Sequence, residues 1–221
     1  MILIKEIVTF DSLKQVNDGN KIYPFFSMTY KGDYGFDNYL KTGAENIREY
    51  IKKITLNETA HRLGEFLLRN HQLALSFTAI APNGDRIFAR NLDTRQAIPL
   101  FFKTSRNNGY KSMSMVNLYN LDYDKNDIPK LFSEKIFNIF GTPYFPLEGI
   151  NEHCLSVPLL TASYSKSVEK ENKITLNGSS LASMVDKAVK MIKSYNMKFS
   201  IPEFPSHFMI ADATGSSVVV E

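Results

Sequence analysis

The chain has 221 residues, about 1.5 times a typical domain of ~150, so one large domain or a domain with an extension is expected. Hydrophobic residues make up 43% and charged residues 22%, with 16 Phe and 11 Tyr, which excludes an intrinsically disordered chain. A formal net charge of +3, its basic residues scattered rather than striped, excludes the electrostatic footprint of a nucleic-acid binder, so no nucleic-acid partner is expected.

In chain order, three blocks follow, without an internal repeat or low-complexity tract. The opening MILIKEIVTFDSL meets Lys5, Glu6 and Asp11 too early for a signal-peptide core,. After KIYPFFSMTYKGDYGFDNYLKTG the first block turns helical: from Glu45, residues Ile47, Tyr50, Ile51 and Ile54 recur at helical spacing,. Leu63, Phe66 and Leu67 continue the pattern past a break near Asn57, where Thr55 or Asn57 is a candidate cap,. The second block is β. Leu75 to Ala81 and Arg86 to Asn91 flank Pro82-Asn83-Gly84-Asp85, and Asn-Gly predicts a hairpin closed by a type I′ turn. Further strands are expected at Ile98 to Thr104 and Met113 to Leu118, then a helix of about three turns over 129–140 with Pro129 in its first turn,. In the third block, PLEGINEHCLSVPLLTASYS reads as a turn and an apolar strand, and SKSVEKENKITLNGSS as an exposed loop,. A helix over 181–195 carries Leu181, Met184, Val185, Ala188, Met191 and Ile192 on one face,. HFMIAD and SSVVVE close the chain as a hairpin through Ala213-Thr214-Gly215.

With Asn83 and Gly84 in the two turn positions, Pro82 faces Asp85, Phe77 faces Arg90 and Ala74 faces Asp93,. Simple alternation then puts Arg90 and Asp93 on opposite faces unless the strand bulges or ends between them. Taken alone, these two residues read as a surface ion pair. Apolar runs fall far short of the roughly 20 residues of a membrane span, so no membrane partner and a cytoplasmic location are expected. The single cysteine, Cys154, rules out an internal disulfide framework and a multi-cysteine metal site,. His61, His71, His153 and His207 lack ligand spacing,, and neither a metal nor another cofactor is expected.

RIFARNLD after a strand and an Asn-Gly turn, KGDYGFDNYLKTG, NNGYKSMSMVNL, TPYFPLEGINE and HFMIADATGSSVVVE stand in one order. In that order they resemble the choloylglycine hydrolase and penicillin V acylase family of linear amide C–N hydrolases, in its branch with an extra N-terminal segment. The resemblance runs from about Tyr30 to the C-terminus. It implies the αββα sandwich of N-terminal nucleophile hydrolases, an α+β fold of two layered antiparallel sheets with flanking helices. It also implies a cysteine opening the first strand of the hydrolase domain, whose freed α-amine is the base and whose thiolate attacks the substrate amide. Arg90 and Asp93 match the arginine and aspartate beside that cysteine. The cysteine's own position is Ala74, in Leu73-Ala74-Leu75-Ser76-Phe77-Thr78-Ala79, where only the Phe-Thr-Ala end matches. A methyl group neither attacks a carbonyl nor undergoes the acyl shift that exposes the α-amine, so an uncut chain is expected.

Ser76 lies about 7 Å along the strand from residue 74, too far to replace the nucleophile. Cys154 sits where the family has glycine, and it reads as a small buried filler rather than a thiolate. On a strand, His153 and Cys154 point to opposite faces, which argues against a catalytic pair. The resemblance makes Thr161 and Asn151 substrate-binding candidates: Thr161 aligns with the position that builds the oxyanion hole or pocket, and Asn151-Glu152 matches the family's Asn-Glu. Asn151 and Gly149 also suffice to shape a turn. Phe101, Phe102, Tyr144 and Phe145 are candidates for an apolar acyl wall or plain core.

These readings make residues 1–73 a helical, propeptide-like extension and residues 74–221 the N-terminal part of a hydrolase-like domain. Family members continue past the pattern that closes here at Glu221, and by resemblance that continuation carries an active-site asparagine and arginine, so an incomplete sandwich is expected. The expected function is a linear amide C–N hydrolase by descent, inactive as this chain. Its ligand is an acyl amide such as a conjugated bile salt, a penicillin or an N-acyl amino acid. The alternatives are a non-catalytic relative that binds an acylated ligand or pairs with itself or a longer paralogue, and a fragment of an interrupted gene.

Overall fold

The structure, a computed structural model, describes residues 4–17, 24–32, 34–35, 73–93, 97–106, 109–124, 127, 135–161 and 206–220. Helix α1 spans Ile4–Asp11. Ten strands follow among the described residues: β1 Lys14–Gln15, β2 Phe26–Tyr30, β3 Leu73–Ile80, β4 Arg86–Asp93, β5 Pro99–Thr104, β6 Ser112–Asn117, β7 Glu148–Asn151, β8 Ser156–Thr161, β9 Ser206–Ala211 and β10 Ser217–Val220. Eight form one sheet in the order β1-β2-β5-β6-β7-β8-β9-β10, and β3-β4 form a second sheet of two strands.

Strict alternation sorts the faces of the large sheet. Phe26, Met28 and Tyr30 on β2 and Leu100 and Phe102 on β5 are buried on one side, as the period of two requires. The connection from β6 to β7 covers that side. It brings a 3-10 turn at Leu118–Leu121, helix α2 at Ile136–Ile139 and Phe140 into one apolar cluster with the strands. Asn117 ends β6 and starts the 3-10 turn because its Oδ1 accepts from Ile98 N at 2.9 Å and from Tyr119 N at 3.1 Å,.

Residues 26–30 lie within the expected extension, yet β2 pairs in parallel with β5, Phe26 opposite Leu100 through Tyr30 opposite Thr104. On its other edge β1 covers only Phe26 and Ser27. The next edge donors are met by α1 and the residue after it. Thr29 N donates to Ser12 Oγ at 2.9 Å and Lys31 N to Thr9 Oγ1 at 2.8 Å, which leaves this part of the edge no free donors for another strand.

The described residues are mostly β, with few and short helices. Of the expected three-turn helix at 129–140 they contain only α2. The helical patterns at 45–67 and 181–195 lie outside the described residues, and so does the loop expected after β8. The flanking helix layers of the expected sandwich therefore rest on sequence alone.

Both hairpin turns have one design. Gly84 N donates to Ala81 O at 2.8 Å and Ala81 N to Asp85 O at 2.8 Å. Gly215 N donates to Asp212 O at 3.1 Å and Asp212 N to Ser216 O at 3.1 Å. Gly84 and Gly215 share φ +87°. These are three-residue loops, a type I turn followed by a left-handed glycine, and not the type I′ turn expected at Asn83-Gly84. Pro82 is the reason: a two-residue loop would need Pro82 N to donate to Asp85 O, and proline has no N–H, so Ala81 N closes the turn instead and Asn83 and Gly84 move one place along,.

Candidate functional site

That one-place shift changes the register around position 74. Ala74 pairs with Leu92 and Asp93 with Leu73, so the expected Ala74–Asp93 pairing is corrected. Arg90 stands opposite Ser76 rather than Phe77, because a slip of one residue exchanges the faces of a strand. Exposure agrees: Phe77 is 52% exposed, whereas the Arg90 side chain is 3% exposed.

Arg90 is no surface ion pair. Its Nη1 donates to Leu147 O and to Glu148 Oε2, the latter at 3.2 Å, and its Nη2 donates to Leu159 O. One guanidinium thus fastens the β3-β4 hairpin to the start of β7 and to β8 of the large sheet. Burial pulls the Arg90 pKa below its ordinary value, and the Glu148 carboxylate opposes that pull,. Glu148, with 23% of its side chain exposed, has no marker in the local sequence. It lies 58 residues from Arg90 in the chain, and only the stacking of the two sheets brings them together.

Ser76 is the other residue whose place sequence reasoning missed. Ser76 Oγ and Arg90 Nε are both buried without a hydrogen-bond partner, on directly opposed residues. Ala74 is two positions before Ser76 on β3, and Asp93 is the last residue of β4. Thr161 ends β8, paired with Ser206 of β9.

Asn151 ends β7, and its Oδ1 accepts from His153 N and Leu155 N, each at 3.0 Å. That oxygen shapes the turn into β8. Glu152 ties the same turn to the sheet: its N donates to Lys111 O at 2.9 Å, and its Oε1 accepts from Lys111 N at 3.0 Å. His153 and Cys154 lie in this turn and not on a strand. Cys154 is exposed, not a buried filler, and has φ +60°, a left-handed backbone that favours glycine. The His153 ring packs on Tyr110 at 4.3 Å between centroids.

The aromatic candidates do not form a single wall. Phe102 is in the core while its strand neighbour Phe101 is half-buried on the opposite face. Tyr144 packs edge-on to Tyr34 with centroids 5.8 Å apart. Among the described residues no group of His, Cys, Asp and Glu is placed to hold a metal ion, and no helix is long and apolar enough to cross a membrane.

No protein-family model and no curated protein matches the chain. Among solved structures, the chain is similar to a mutant conjugated bile acid hydrolase from Clostridium perfringens, at 22% identity over 67% of this chain and with a TM-score of 0.31. The match covers 48% of that hydrolase, so this chain spans about half its length. A likeness this slight fixes neither fold nor activity.

Proposed function

We propose that the chain is a choloylglycine hydrolase-type relative that binds an acyl amide without hydrolysing it through residue 74. One observation carries the reading: in a chain whose motifs follow the family's order, the nucleophile's position holds Ala74, directly before Leu75-Ser76-Phe77-Thr78-Ala79. The chemistry requires a lone pair that adds to the amide carbonyl, expulsion of the amine with a proton, and release of the acyl group by water. A methyl side chain supplies no lone pair. The buried Arg90, held by Leu147, Leu159 and Glu148, supports a scaffolding role that outlasts the lost nucleophile.

The test uses glycocholate and penicillin V. Neither glycine nor 6-aminopenicillanic acid should be released, and mass spectrometry should find the chain uncut before residue 74. At least one of these compounds or an N-acyl glycine should raise the melting temperature, since at 100 times Kd a ligand adds about 2.7 kcal/mol to stability. Turnover or a cut chain refutes the reading.

A second reading, self-association, is favoured by the outer face of the hairpin, where Phe77 and Ile87 are 52% and 44% exposed,. Sedimentation should then show a dimer that Phe77→Ser with Ile87→Ser abolishes. A monomer at all concentrations excludes it.

A further inference from the structure

The N-terminal segment enters the large sheet as a strand and is not laid over it as a cover. β2 occupies one edge of β5, Phe26 opposite Leu100 through Tyr30 opposite Thr104. Phe26, Met28 and Tyr30 are buried in one apolar cluster with Leu100 and Phe102 of β5. Phe10 of α1 and Leu13 pack against the same cluster. Without β2, the facing backbone groups of β5 lose their ladder partners and Leu100 and Phe102 lose their cover, and both losses are costly.

A second set of contacts holds the end of the segment. The Tyr34 ring meets Tyr30 edge-on at 5.6 Å and Tyr144 edge-on at 5.8 Å between centroids,. The Arg106 guanidinium carbon stands 5.7 Å from the Tyr34 centroid,. Tyr144 Oη donates to Tyr34 O at 2.6 Å, and Tyr30 Oη to Phe140 O at 3.5 Å. Arg106 lies between β5 and β6, and Phe140 and Tyr144 between β6 and β7, so these partners all lie beyond residue 74. Backbone pairing at a sheet edge, with alternate side chains seated in the core, is how a sheet takes up an extended peptide. The outer edge of β2 is met from within the segment, by Thr9 and Ser12. We propose that residues 4–35 are a built-in strand donor, a permanent part of the large sheet and not a releasable propeptide, held by β5 without need of the covalent link to β3. The proposal does not depend on the acyl-amide reading and stands if that reading fails.

The experiment places a site for a sequence-specific protease between Ala44 and Glu45 of the full chain and follows the cut protein by native mass spectrometry and sedimentation. The two pieces should travel as one species and separate only in urea. Phe26→Ala should raise the dissociation constant of the cut pieces about a hundredfold, whereas Lys14→Ala, at an exposed position, should leave it unchanged. Hydrogen exchange on the uncut chain is an independent measurement, and it decides the matter should the inserted site resist the protease or Phe26→Ala fold poorly. Amides of β2 should be as protected as those of β5 and β6. Separation of the pieces in plain buffer overturns the proposal, as does a Phe26→Ala protein whose pieces bind as before. So do β2 amides that exchange freely while those of β5 stay protected.

Discussion

Arg90→Met is the sharpest test of how the hairpin is held. Methionine keeps much of the aliphatic volume and removes three hydrogen bonds, to Leu147 O, Leu159 O and Glu148 Oε2. Leu147 O retains Leu159 N at 2.8 Å, so its loss is small. Leu159 O loses its guanidinium donor, at roughly 1–3 kcal/mol for a carbonyl left in the interface. Glu148 is partly exposed and regains water, so its lost partner costs at most about 1 kcal/mol. Relief of the desolvated guanidinium offsets part of the sum,. The net expectation is about 2 kcal/mol, or roughly thirtyfold in the opening equilibrium of the hairpin.

Native-state hydrogen exchange reads this directly. Amides of β3 and β4 should exchange about thirtyfold faster in Arg90→Met, while those of β5 and β6, in the sheet core, should change little. Glu148→Gln, which keeps an acceptor near Nη1, should give the same pattern at reduced size. Unchanged exchange over residues 73–93 in Arg90→Met would refute the claim that this guanidinium joins the sheets.

Three further outcomes are expected. Cys154→Gly should raise stability by about 1 kcal/mol in urea unfolding, because glycine removes the cost of a side chain at φ +60°,; a loss of stability would show that the exposed thiol packs. Gly84→Ala should lower stability by about 1 kcal/mol through backbone strain alone, since φ is +87° and a Cβ there meets nothing within 4 Å; Gly84→Asn should cost less, and a neutral Gly84→Ala would argue against the left-handed turn. Burial, then the nearby Asp127 and Asp122, raises the Tyr123 phenol above its ordinary pKa. The neutral phenol is favoured by the fold, so its contribution to stability is complete below about pH 10 and is lost as pH rises beyond it. Tyr123→Phe should flatten that alkaline decline in a melting-temperature profile, at some cost from the lost bond to Lys135 O; an unchanged decline would assign it to other groups.

Local features read well from the sequence wherever neighbours in the chain decide the outcome. The hairpin between β3 and β4, that between β9 and β10, and the strands over 99–104 and 112–117 follow from apolar runs separated by turn residues. Cys154 read poorly: a buried filler on a strand was expected, and the residue is exposed in a turn with φ +60°. Register was less legible. Asn-Gly names two turn types, and the choice fell to Pro82, whose missing N–H cannot close the shorter loop; that moved the pairing by one residue and carried Arg90 from the Phe77 face to the Ser76 face,.

By itself, then, the sequence located the two hairpins, the strands β5, β6 and β8 and the alanine at residue 74, because those properties belong to single side chains and their immediate neighbours. It missed β2, and it read as a turn the segment that forms β7 at Glu148–Asn151, because both owe their strand conformation to partners far away in the chain. Only the tertiary structure decided what Arg90 does. Its partners Leu147, Glu148 and Leu159 lie 57 to 69 residues away, and a guanidinium on a strand reads as a solvated surface charge until a second sheet is laid over it. The same stacking removed water from Ser76 Oγ and Arg90 Nε, a loss of water that no local pattern encodes.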